Sequence, residues 1–252
     1  MKILGARISE ISSYKEAYTL IIYAVHSNES LPNYVTINNV HTVVESVLHN
    51  DYLKVINNSF MSFPDGRPLS IVAKLKGEKN ITRIFGPTFF EKTLEWGQKD
   101  GLKHFFFGST EATINKMLKK ISTNYPKTII AGYYSPPYKK EFSEDENEKF
   151  IKIMNESGAD IFWIGLGAPK QEIWMYENYK KLSKGIMIGI GAGFDYLAGN
   201  TKHAPQWMKT ASLEWFYRLI QEPKRLWKRY LITNTLFVWY VFLELTGLKK
   251  FD

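Results

Sequence analysis

The stretch Asp160-Ile-Phe-Trp-Ile-Gly-Leu-Gly-Ala-Pro-Lys-Gln171 decides the fold. Residues 160–164 are almost continuously apolar, the mark of a strand buried on both faces. Gly165 and Gly167 end it, and Pro169 suits the first position of a helix. The same grammar recurs on either side. A strand from Leu102 to Phe107 meets Gly108-Ser109-Thr110 and then a helix carrying Ile114, Met117, Leu118 and Ile121. A strand over 127–131 precedes the loop from Gly132 to Tyr138, which holds Tyr134 and Ser135. Ser143 and Glu146 then form a capping box ahead of Phe150, Ile151 and Met154. A last strand over 186–190 ends in Gly191-Ala-Gly-Phe-Asp195. This alternation predicts an α/β fold with a mostly parallel, Rossmann-like sheet and helices on both faces. In such sheets ligands bind beyond the carboxyl ends of the strands, so the loops there are the candidate sites.

Upstream, Asn38 is read as the cap of a helix whose Val40, Val43, Val44, Val47 and Leu48 make one apolar stripe. Residues 53–63 read as extended chain ending at Pro64-Asp65-Gly66. Pro68 opens a short helix stopped by Gly77, and Thr88 with Glu91 predicts a second capping box. There is no internal repeat or low-complexity linker. The one compositional break falls near residue 200, dividing a 1–200 core from a basic, aromatic appendage over 201–252.

The composition narrows the class. The chain has 252 residues, 44% hydrophobic and 23% charged, which fits a folded protein with its own core. Cysteine is absent, excluding disulfides, Cys-ligated metal centres and a thiol nucleophile. The net charge of +8 favours an anionic partner. From Thr201 to Tyr230 seven bases stand against two acids, more than half of that surplus. Charged residues at the N-terminus occupy the place of a signal peptide's apolar core, which speaks against secretion.

Asp65, in Phe63-Pro-Asp-Gly-Arg67, is either a turn residue or a general base at the end of an extended segment. Thr36 and Asn38 could hydrogen-bond a sugar from a neighbouring loop. Gly165, Gly167, Lys170 and Gln171 combine glycines that admit a ligand, a helix start that attracts phosphate, a point charge and an amide. A generic strand–helix turn explains them equally well. Lys170 stands where the third glycine of a dinucleotide fingerprint belongs, so that motif is excluded. Gly108 and Ser109 could touch a diphosphate, and Asp195 a ligand hydroxyl, or each could serve only as turn or cap. The five histidines show no metal-ligand spacing, and His41 and His49 are read as solvated. No metal and no cofactor is indicated. The apolar run Leu236 to Leu243 is far shorter than the ~20 residues that span a bilayer. Lying on a membrane surface, with bases toward lipid phosphates, fits it better. A tail packed on a partner subunit, as in a homo-oligomer, is the competing account.

Together these segments resemble the WecG/TagA/CpsF family, glycosyltransferase family 26. The carriers are Thr36-Ile-Asn-Asn39, Pro64-Asp-Gly66, Gly132-Tyr-Tyr-Ser-Pro-Pro137, Gly165-Leu-Gly-Ala-Pro-Lys-Gln-Glu172 and Gly193-Phe-Asp-Tyr-Leu-Ala-Gly199. Ala204-Pro205, Leu213-Glu-Trp-Phe-Tyr-Arg-Leu219, Glu222-Pro-Lys-Arg225 and Arg229-Tyr230 continue them. The resemblance implies a hexosyltransferase: inverting, metal-independent transfer from a UDP-sugar to a polyprenyl-diphosphate-linked sugar. Asp65 matches the position of the family's base. Thr36, Asn38 and Gln171 match its pocket, with Arg83, Gly108, Ser109, Tyr134, Ser135, Gly165, Gly167, Lys170 and Asp195 around it. Arg218 and Arg225 match arginines of a C-terminal appendage that closes the site and helps seat the protein on the inner face of the cell membrane, and Arg229 is a further candidate binding residue there. Three positions depart from the family's usual pattern: Thr88 for an acid, and His203 and Lys228 for arginines. N-acetylmannosamine, its uronic acid, glucose and glucuronic acid all remain open as donor sugars. Two rival classes remain: a nucleotide-cofactor oxidoreductase, and a nucleic-acid binder built on the basic tail, whereas the family reading expects no nucleic acid.

Overall fold

In the central strands Phe105, Phe107, Phe162 and Ile164 belong to one apolar cluster and Phe106, Ile161 and Trp163 to another. Side chains alternate across a strand, so these segments carry apolar groups on both faces and must sit in a sheet covered twice. The computed structural model describes residues 1–27, 32–210 and 213–251. The side chains of residues 209–212, Lys209 of the basic run among them, and Asp252 lie outside that description.

The chain opens with an antiparallel hairpin, β1 (Lys2–Ile3) and β2 (Ala6–Arg7). There follow α1 (Tyr14–Ser27), β3 (Asn33–Asn38), α2 (Val40–Leu48), α3 (Asn50–Asn57), β4 (Met61–Pro64), α4 (Arg67–Leu75) and α5 (Gly86–Asp100). Next come β5 (Lys103–Gly108), α6 (Glu111–Asn124), β6 (Ile129–Tyr134), α7 (Glu144–Ser157), β7 (Ile161–Gly165), α8 (Lys170–Asn178), β8 (Ile186–Gly189) and α9 (Gly193–Ala198). The chain closes with α10 (Gln206–Thr210), α11 (Glu214–Gln221) and α12 (Pro223–Leu245).

Six strands form one sheet in the order β4-β3-β8-β7-β5-β6, every pairing parallel. The register sets Asn38 beside Pro64, Gly108 beside Gly165 and Ile164 beside Gly189, so the carboxyl ends share one edge. Helices α2, α3, α4, α7, α8 and α12 cover one face, and α1, α5, α6 and α9 the other. Phe237 and Val241 of α12 are buried against Val43 and Val44 of α2, contributing roughly 1.5–3 kcal/mol each. Its far end is tied down by Glu244, whose Oε1 accepts from the Leu4 amide (3.0 Å) and pairs with Lys76 (3.0 Å). The opposite side of α12 exposes Leu231, Val238, Trp239 and Phe242. Among the described residues no helix is long and apolar enough to cross a membrane.

The α/β class and the parallel sheet are as expected, but several local readings are corrected. Residues 50–57 form a helix rather than extended chain, because Tyr52, Val55 and Ile56 make a buried helical stripe; only Met61–Pro64 is strand. Asn39, not Asn38, caps α2: its Oδ1 accepts from the amides of His41 (3.0 Å) and Thr42 (3.2 Å). Thr88 lies inside α5, which starts after Phe85, so it makes no capping box with Glu91. Strand β6 begins and ends later than 127–131 and takes in Gly132 to Tyr134. The Ser143–Glu146 capping box forms as read. His41 is not solvated: with 14% of its side chain exposed beneath α12, burial pushes its pKa down to about 3, and Arg229 opposes its charge further.

Candidate active site

Asp65 emerges directly from β4, and its amide donates to the Asn38 carbonyl (2.7 Å), which fixes it at the sheet's carboxyl edge. Its side chain is 22% exposed, yet Oδ1 is buried and accepts no hydrogen bond. Arg83 lies alongside. Its Nε donates to the Asp65 carbonyl, one terminal nitrogen pairs with Glu214 of α11, and the other stays 3.7 Å from Asp65 Oδ1. Burial raises the Asp65 pKa to about 6; Arg83 and Arg218 pull it down, and Glu214 pushes it up. A carboxyl poised there is a competent proton acceptor near neutral pH.

Next to Asp65, Thr36 and Asn38 are fully buried in one polar network. Asn38 Nδ2 donates to Thr36 Oγ1 (2.9 Å) and Ser62 Oγ (2.7 Å), while Asn38 Oδ1 has no partner. Thr36 Oγ1 in turn donates to Ser59 Oγ (3.5 Å).

Across β5, β6, β7 and β8 lies a cleft of about 1540 Å³, its lining including Ser109, Ser135, Gly165, Gly167, Asp195 and Arg225. Its loops are bound to one another. Ser135 Oγ donates to the Ser109 carbonyl (2.7 Å), and the Ser109 amide to the Gly165 carbonyl (3.2 Å). Gly108, at φ +127°, passes so close to β7 that a Cβ would meet the Gly165 oxygen at 2.5 Å, so glycine is required there. Gln171 is buried and staples two loops: its Oε1 accepts from the amides of Gly167 (3.2 Å) and Gly191 (3.0 Å). Its Nε2 donates to Glu172 Oε1 (2.7 Å), and Tyr52 donates to Glu172 Oε2 (3.3 Å). Glu172 is fully buried, and that burial raises its pKa to about 7 against the hydrogen bonds from Gln171 and Tyr52. Lys170 lines the cleft but is held over the Phe142 ring (3.8 Å) and donates to the Lys139 carbonyl.

Three arginines converge where α11 and α12 approach the sheet edge. Arg229 is depressed first by burial and then, after a favourable tyrosine, by the charges of Arg218 and Arg225. Glu222 reaches two of them, Arg225 at 2.5 Å and Arg218 at 3.7 Å. Its single charge leaves an excess of positive charge, and Nε of both Arg218 and Arg229 is buried without a partner. Guanidinium groups in this state favour an oxyanion with several lone pairs, phosphate above all. Arg218 also faces Asp65 and lies 5.8 Å over the Tyr196 ring, so the cluster joins the Asp65 end to the cleft.

The residues singled out from sequence thus fall into three groups. Ser109, Ser135, Gly165, Gly167, Lys170, Asp195 and Arg225 line the cleft; Asp65, Arg83 and Arg218 stand together beside it. Thr36, Asn38, Gly108, Gln171 and Arg229 are absent from the cleft wall, as is Tyr134, which stacks on Phe107 (6.2 Å). Asp195 Oδ1 also accepts from Asn200 (3.1 Å). Sequence reasoning missed Glu214, Glu172 and Tyr52. Glu172 carried a signal, being the acidic end of the Gly165–Glu172 motif; Glu214 and Tyr52 carried none until the fold paired them. His203, where arginine is common in the family, packs tilted against Tyr196 (4.7 Å) and lies 3.6 Å from Glu91. Among the described residues no group of three or more His, Asp or Glu is placed to hold a metal ion.

A parallel α/β sheet with a loop-lined cleft, a carboxylate and an arginine cluster at its carboxyl edge makes a site suited to an anionic ligand. A model of the glycosyl transferase WecG/TagA/CpsF family matches residues 1–250. An N-acetylglucosaminyldiphosphoundecaprenol N-acetyl-beta-D-mannosaminyltransferase of Bacillus subtilis (strain 168) is 36% identical over 182 residues, covering 72% of this chain and 68% of that protein. A protein of the same name from Bacillus spizizenii is 31% identical over 187 residues, covering 74% and 70%. The chain belongs to the WecG/TagA/CpsF family of glycosyl transferases, which sets aside the oxidoreductase reading and that of a non-catalytic binder.

Proposed function

We propose that the protein transfers N-acetylmannosamine from its UDP-sugar to N-acetylglucosaminyl-diphosphoundecaprenol, with inversion and without a metal. The relatives' names support the sugar and the lipid-linked acceptor. The observation that carries the chemistry is the pairing of an unpartnered carboxylate oxygen on Asp65 with the three converging arginines. Asp65 takes the proton from the acceptor hydroxyl; that oxygen bonds to the sugar's anomeric carbon as the bond to UDP breaks and its electron pair leaves with the diphosphate. Arg218, Arg225 and Arg229 offset the charge that develops there. Ser109, Ser135, Gly165, Gly167, Lys170 and Asp195 hold the nucleotide-sugar in the cleft, with Gly108, Tyr134 and Gln171 fixing its loops. Thr36 and Asn38 form a polar floor beside Asp65, and Arg83 sets the carboxylate's surroundings. The region 201–252 acts as an appendage to a 1–200 core. Its exposed Trp215, Trp227, Trp239 and Phe242, with the neighbouring bases, rest on an anionic membrane surface on the cytoplasmic side, where the acceptor is held.

The test is a UDP-release assay with a panel of UDP-sugars, a short-chain lipid-diphosphate N-acetylglucosamine and EDTA. Release that needs both UDP-N-acetylmannosamine and acceptor is expected. UDP binding with no acceptor-dependent release from any donor would overturn the assignment.

A further inference from the structure

Asp65 is faced from five elements. Tyr14 stands on α1, Arg83 on the segment before α5, Tyr196 on α9, Glu214 and Arg218 on α11, and Tyr230 on α12. Of these, Arg83 is the natural counter-ion: it lies half-buried beside the carboxylate and already contacts the Asp65 main chain. Yet it meets the carboxylate only as a loose ion pair. One terminal nitrogen is drawn to Glu214, and the other is left at 3.7 Å from Asp65 Oδ1, beyond hydrogen-bonding range. The guanidinium plane is fixed by a third contact, lying 4.8 Å over the Phe85 ring. Glu214 is itself well covered, with 14% of its side chain exposed, so water screens the pair little. Asp65 Oδ1 remains buried and accepts no hydrogen bond.

We propose that Glu214 is a positioning residue: by holding Arg83, it keeps Asp65 Oδ1 free of a direct guanidinium hydrogen bond and ready to accept a proton, and it does so only when α11 is docked on the sheet edge. This rests on Asp65 being the base. Glu214 belongs to the same helix as Arg218, so one docking event frees the base and brings an arginine toward the leaving group. Without Glu214, Arg83 turns to the carboxylate beside it. A bidentate Arg–Asp pair then occupies the lone pairs that must receive the acceptor's proton and lowers the carboxyl's affinity for it. The directions agree: Arg83 lowers the Asp65 pKa, Glu214 raises it, and loss of Glu214 removes one influence while strengthening the other.

The experiment is the pH dependence of kcat/KM for transfer in the full-length wild type, Glu214→Gln, Glu214→Asp and Asp65→Asn, with UDP affinity measured alongside. The wild-type acid limb is expected near pH 6, where Asp65 titrates. In Glu214→Gln the limb moves down by about one pH unit and kcat at pH 8 falls about tenfold, part of the 10²–10⁴-fold that a general base supplies. Glu214→Asp, which keeps the carboxylate, restores the limb to within half a unit of the wild type, which a generic loss of packing would not do. An inactive Asp65→Asn with an unmoved limb in Glu214→Gln overturns the role of Glu214 alone. Full turnover by Asp65→Asn overturns the base assignment and this proposal with it.

Discussion

Replacing Asp65 by asparagine should make the protein more stable and catalytically dead, and the two effects share a cause. Asp65 titrates at about 6 in the folded chain against an ordinary 3.8. Two pKa units correspond to about 3 kcal/mol. The sign follows from proton linkage. Between about pH 4 and 6 the folded protein keeps a proton that the unfolded chain has released, so stability falls as pH rises through that window. Above it the ionised, desolvated carboxylate costs stability to the full extent. Asparagine has the same shape and no charge, and the Arg83–Glu214 pair remains to satisfy the guanidinium. Urea unfolding of both proteins at pH 4 and pH 8 measures this directly. The variant should be more stable at pH 8 by up to ~3 kcal/mol, with the advantage shrinking toward zero near pH 4. Equal or lower stability of the variant at pH 8, or a difference independent of pH, would refute the claim that Asp65 is held ionised against its surroundings.

Other expectations follow from particular contacts. Gly108→Ala drives a Cβ into the Gly165 oxygen and should lower the urea midpoint by the equivalent of about 2–4 kcal/mol, or prevent folding. Gln171→Ala releases the amides of Gly167 and Gly191 and should raise KM for the donor about tenfold while changing kcat less, read from steady-state kinetics. Arg229→Lys keeps a charge but loses the guanidinium fork and should weaken UDP binding about three- to tenfold by calorimetry. Trp239 and Phe242 are about half exposed, so replacing both by serine should reduce co-sedimentation with anionic vesicles and leave thermal stability nearly unchanged.

What the sequence discloses is set by the range of the interaction. The glycine turns after Phe107, Ile164 and Ile190 are legible because a buried strand must end abruptly and glycine allows it. The Ser143 capping box is equally local, needing only residues three apart. Helix α3 was hidden because an extended reading begun at Leu53 omits Tyr52, and without it the stripe with Val55 and Ile56 is incomplete. His41 reads as polar surface until α12, nearly two hundred residues later, packs over α2. The site divides the same way. Asp65 and the arginines stand out by type and motif. That Gln171 turns inward to staple two loops, or that Glu214 claims Arg83 across 131 positions of chain, becomes visible only when the sheet edge is assembled.

In the proposed reaction Asp65 accepts the proton while the arginines hold the leaving diphosphate. Single-turnover transfer and UDP affinity measured side by side, for wild type and Asp65→Asn, separate those roles most directly. Transfer should fall by at least about 10²-fold with UDP affinity within threefold of the wild type. Transfer retained by the variant, or UDP binding lost together with it, would exclude Asp65 as the base acting apart from the arginines.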